Sequence, residues 1–147
     1  METEPTILSP YQIRAALVEW GILEANVQCA GATYLLLSEA DVHDRVGPEC
    51  VRILAQSPPP QEGARECRQI SRDIVSWVER WHAEQGKSEH AVAFGTIVLP
   101  SRQHECCVAI HESDAGIIYA KAYEPQTGLL PLDLTLEERK EAGLCQF

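Results

Sequence analysis

Between residues 66 and 124 the spacing of apolar side chains changes once, from a helical period to a strand period. That change limits the fold more than any other feature of the chain. Ile70, Ile74, Val75, Trp77, Val78 and Trp81 form a stripe of period 3.6, as on a helix with one apolar face. The stripe predicts a central helix that starts near Glu66 or Cys67, reaches Gln85 and stops at Gly86. "AVAFGTIVL" (91–99) then reads as a buried strand closed by Pro100, and "HECCVAIHE" and "GIIYAKAYE" follow as two more.

Upstream the signals are helical. In "SPYQIRAALVEWG", Ser9 caps, Pro10 suits the first turn, Gln12 completes a capping box and Gly21 ends the helix. "SEADVHDRVG" has Ser38 as cap and Gly47 as its expected stop, and "PECVRILAQS" predicts a further short helix. "PPPQEG" (58–63) predicts a rigid loop, and "TLEERKEAG" (135–143) a short helix capped by Thr135. Helices come first and antiparallel strands after, which defines an α+β domain with the central helix packed on a C-terminal sheet. At 147 residues the chain is expected to be one domain, residues 1–147.

The formal charge is −10. Binding a phosphate backbone needs clustered Lys and Arg, so no direct nucleic-acid binding is expected, and the acidity leaves room for a basic protein partner or for imitation of a nucleic acid. No apolar run approaches the ~20 residues of a membrane span, so no membrane association is expected. "METEPTILSP" lacks the basic and apolar regions of a signal peptide, and the expected location is cytoplasmic. The six cysteines are therefore expected to be reduced, mostly as small buried hydrophobes. None forms a C-x-x-C pair, so no metal and no cofactor is expected.

A hairpin turn centred on Asp114 pairs residues whose numbers sum to 228. Ile110 then faces Ile118, Val108 faces Ala120, Cys106 faces Ala122 and His104 faces Glu124, all on one core-facing side. The other side carries Glu105, Cys107, His111, Tyr119, Lys121 and Tyr123 and reads as wetter. Directly opposed Cβ atoms lie roughly 5 Å apart, close enough for a carboxylate to orient an imidazole. The alternative is a buried ion pair that merely closes the sheet.

A catalytic pair needs a nucleophile on the element covering that face, and the expected cover is the central helix. A cysteine at a helix start sits at the positive end of the macrodipole beside unsatisfied N–H groups, which favours thiolate and supplies oxyanion donors. Cys67 is that candidate, with Arg65 and Arg68 adding positive charge. Gln61, six residues upstream, is the candidate side-chain donor to the oxyanion. Cys29, Cys50 and Cys145 lack a comparable constellation. His43 is expected to be solvated or half-buried, and His82 and His90 to lie on the surface.

A helix-start cysteine, then a strand-start histidine, then an acid on the next strand is the order used by papain-like enzymes. "YEPQTG" after a His-led strand resembles the C-terminal cysteine protease domain of Marasmius-type fungal agglutinins, and Tyr34 with "LLLSEADV" resembles the segment upstream of the cysteine. The resemblance covers roughly residues 34–130. It implies a papain-like fold and a triad of Cys67, His104 and Glu124. Where that family carries Asp residues after the cysteine and depends on calcium, this chain has Arg68 and Gln69.

The expected function is a papain-like thiol hydrolase, a cysteine peptidase or isopeptidase with a protein or peptide substrate. The alternative is a catalytically inactive acidic binding protein on the same scaffold, such as a phage-type inhibitor of a host nucleic-acid-binding defence complex.

Overall fold

A computed structural model describes residues 6–56, 63–87 and 89–147, with residues 63–67 described by backbone alone. In chain order the elements are β1 (Ile7–Leu8), α1 (Pro10–Trp20), β2 (Val27–Gln28), β3 (Tyr34–Leu35), α2 (Glu39–Asp41), α3 (Gly47–Gln56) and α4 (Gly63–Glu84). Then come β4 (Ala91–Val92), β5 (Phe94–Leu99), β6 (His104–Glu112), β7 (Ile118–Glu124), β8 (Leu130–Leu132), α5 (Leu136–Lys140) and β9 (Cys145–Gln146). The architecture is α+β, with helices packed on a six-stranded sheet of order β2-β9-β5-β6-β7-β8. A small sheet, β1-β3-β4, joins it where the 91–99 strand changes sheets at Ala93.

Local signals act as their chemistry dictates at both ends of α1. The Ser9 side chain accepts the Gln12 N–H, the Gln12 side chain answers at the Ser9 N–H, and Gly21 closes the helix at φ 120°. Thr135 and Glu138 make the same box at α5. Gly47 departs from expectation. A π-helical turn, Val42–Val46, carries α2 directly into α3, and Gly47 is itself helical at φ −55°. Pro48 brings no N–H to the ladder, and the wider π turn lies just before it.

Both faces of the sheet are buried, which corrects the wet face expected for the hairpin. Cys106, Val108, Ile110, Ala120 and Ala122 pack with Ile13 and Leu17 of α1. Cys107, Ala109 and Tyr123 pack with Ile70, Ile74 and Val78 of α4. The sheet is therefore a middle layer between helices. His111 lies on the α4 side only 1 % exposed. Its Nδ1–H donates to the Leu37 carbonyl, and its Nε2 accepts from the Tyr123 hydroxyl at 2.7 Å. A fully satisfied imidazole can take a core position that the strand pattern assigns to water.

Three further expectations change. α5 ends at Lys140, and the chain returns as β9 between β2 and β5. That approach requires Gly95, because a Cβ there would lie 1.9 Å from the Gln146 carbonyl oxygen. His82 is buried at 5 % exposure, not on the surface. The hairpin turn is centred on Ala115 and not on Asp114: the Ser113 carbonyl accepts from Gly116, the Ser113 N–H donates to the Ile117 carbonyl, and Gly116 has φ 81°. This is a three-residue loop with a left-handed glycine, so the register pairs Val108 with Ala122 and Ile110 with Ala120, two residues from expectation.

Candidate active site

A shift of two residues preserves which face each side chain takes, so His104 and Glu124 stay on one side but are diagonal neighbours. Diagonal Cβ atoms on a sheet are roughly 7–8 Å apart, within reach of two long side chains. They meet: His104 Nε2 lies 2.6 Å from Glu124 Oε2, with the side chains 13 % and 16 % exposed. Nε2–H donates to the carboxylate, which leaves Nδ1 as the proton acceptor.

The EPQTG segment holds Glu124 by a local mechanism. Glu124 caps a 3-10 turn, Pro125–Thr127, its Oε1 accepting the Gln126 N–H at 3.1 Å. Pro125 presets the first turn position, and the Thr127 hydroxyl donates back to the Glu124 carbonyl at 3.0 Å. Gly128 ends the turn at φ 77°, in the left-handed region. One carboxylate thus orients the imidazole with one oxygen and caps the turn with the other.

Helix α3 buttresses this turn, a contact that sequence reasoning missed. The Cys50 thiol donates to the Pro125 carbonyl at 3.1 Å, and Gly47 and Gly128 allow the backbones to approach. A Cβ on Gly128 would lie 2.7 Å from Val51 Cγ2. Glycines at residues 47 and 128 were the available signal, but nothing local says they face each other.

The first turns of α4 reach the same end of the sheet. The Ser71 hydroxyl donates to the Glu105 carbonyl at 3.3 Å, and Arg68 Nε lies 3.7 Å from Glu105 Oε2. Arg68, Val98, Leu99, Pro100, Gln103, His104 and Glu105 line a cleft of about 140 Å³. Two expectations about this helix are corrected. It begins at Gly63, so Cys67 is its fifth residue, where the intrahelical ladder already uses the N–H. Its body also covers the Cys107–Ala109 face, and only its start approaches His104. Both strand faces are buried, and the helix takes the one that carries Glu105, His111 and Lys121 and that the pattern assigned to water. The Cys67 side chain and Gln61 lie outside the described residues.

The other thiols are poor competitors. Cys50, Cys106, Cys107 and Cys145 are buried, and Cys29 is half-buried. Burial pushes the Cys50 thiol up to about 12 and raises Cys29, Cys107 and Cys145 as well. Burial also pushes the Glu105 carboxyl above the usual carboxylate range, against the pull of Arg72, Arg68 and His104.

Among the described residues no group of three or more His, Cys, Asp or Glu could hold a metal ion, so those residues offer no ready calcium site. Among those residues no helix is long and apolar enough to cross a membrane. No protein-family model matches the chain, and neither a curated protein nor a solved structure matches it.

Proposed function

We propose that the protein is a papain-like thiol hydrolase acting on peptide or isopeptide bonds, with Cys67 as nucleophile, His104 as general base and Glu124 as the group that orients His104. The observation that carries the reading is the 2.6 Å His104–Glu124 bond at the sheet end that the start of α4 also reaches. His104 Nδ1 takes the thiol proton, and the thiolate adds to the carbonyl carbon. Collapse of the tetrahedral intermediate breaks the C–N bond as the imidazolium returns its proton to the leaving amine. Water, deprotonated by the same nitrogen, then cleaves the thioester and regenerates the thiol. Glu124 keeps Nε2 protonated and the ring in place throughout.

The test is the iodoacetamide alkylation rate of each cysteine against pH, read by mass spectrometry on the folded protein. Cys67 is expected to react fastest well below pH 8 and to lose that advantage in His104→Ala. A Cys67 that is inert, or no different from the other thiols, overturns the hydrolase reading and turns attention to a basic partner for the acidic surface.

A further inference from the structure

Glu105 follows the candidate base in sequence and lines the same cleft. It is 4 % exposed, and its Oε2 is a buried carboxylate oxygen with no hydrogen-bond donor among the described residues. Two guanidiniums, Arg72 and Arg68, act on it electrostatically; Arg68 Nε is 3.7 Å away, beyond the roughly 2.7–3.2 Å of a hydrogen bond, and the Arg68 side chain is 55 % exposed. A buried carboxylate oxygen left without a donor is costly, and folded proteins rarely keep one without a use. The rest of the cleft is suited to a single long side chain. Val98, Leu99 and Pro100 supply apolar wall. Its volume of about 140 Å³ is well under the ~300 Å³ at which pockets begin to hold drug-sized ligands.

We propose that this cleft is a subsite for the cationic side chain of a peptide, lysine or arginine, with Glu105 as the specificity-determining residue. The methylene stem lies along Val98, Leu99 and Pro100, and the charged head donates to Glu105 Oε2. Arg68, more than half exposed, turns into solvent and yields its place near that oxygen. A chain of net charge −10 also attracts basic peptides at long range. The proposal rests on the hydrolase reading for the cleft's role, but its test does not depend on thiol chemistry.

In Cys67→Ala, binding of two blocked hexapeptides is measured by amide chemical-shift titration. The peptides are identical except that one carries lysine where the other carries norleucine, which keeps the stem and lacks the ammonium. The lysine peptide is expected to bind about tenfold tighter, as for a charge-assisted hydrogen bond. The preference should vanish in Cys67→Ala/Glu105→Gln and grow in Cys67→Ala/Arg68→Ala, where the competing guanidinium is gone. Circular dichroism confirms that each variant is folded. Equal affinities, a preference that survives Glu105→Gln, or no binding of either peptide at millimolar concentration overturns the subsite. A reactive Cys67 with no lysine preference sinks the subsite alone; a lysine preference with an inert Cys67 sinks the hydrolase alone.

Discussion

At the scale of single residues, Glu124 and Glu105 are carboxylates with opposite circumstances. Glu124 satisfies two donors, the imidazole and the Gln126 N–H. Glu124→Ala should cost stability by about 1 kcal/mol, as for a lost cap, in urea unfolding. It should also lower the Cys67 alkylation rate at pH 7 roughly tenfold or more, because the ring loses its orienting partner. Glu105 is buried with an orphan oxygen, and its folded-state pKa is raised by burial. Between the unfolded value of about 4.5 and the folded value, the native state holds the proton that the unfolded state has lost. Glu105 therefore subtracts from stability as pH rises through that window. Glu105→Gln is expected to raise the melting temperature at pH 7 but not at pH 4; equal effects at both would show that the carboxylate's charge is not what burial opposes.

At the scale of elements, two glycines let backbones meet. A Cβ on Gly95 would strike the Gln146 carbonyl carbon and oxygen, which are backbone and cannot swing aside. Gly95→Ala is expected to detach β9, seen as lost amide-exchange protection at Cys145 and Gln146. Gly128→Ala meets only Val51 Cγ2 but places a side chain at φ 77°, a backbone cost of roughly 1–2 kcal/mol. Val51→Ala in the same chain should recover the steric part and leave the backbone part, measurable as non-additive unfolding free energies. The elements themselves were legible where the signal is local: α1 with its capping box, α5 with Thr135, and the α4 stripe. The hairpin register was missed by two residues because the turn centres on Ala115 and not on Asp114, and the run 112–116 offers turn-forming residues for either centre.

At the scale of the whole molecule, burial of imidazoles should set the acid side of stability. His82 and His111 are both buried, and desolvation lowers the pKa of each. Below about pH 6.5 the unfolded chain takes protons that the native state refuses, so stability should fall as pH drops through that value. The melting temperature should be lower at pH 5.5 than at pH 7.5, and His82→Gln should shrink the difference. No drop, or a drop unchanged in the variant, would assign the acid response elsewhere.

The sequence alone determined what depends on neighbours a few residues apart. Capping boxes, the helical stripe and the strands from 94 to 124 follow from local hydrogen bonding and side-chain period. It also placed His104 and Glu124 on one face, because a slip of two residues conserves parity. Only the tertiary structure decided what long-range packing controls. It put helices on both faces of the sheet, seated His111 and His82 in the interior, brought α3 against the Glu124 turn and left Glu105 buried beside His104. Each of those outcomes turns on which surfaces meet across long sequence separations, and a strand does not state that choice in its own residues.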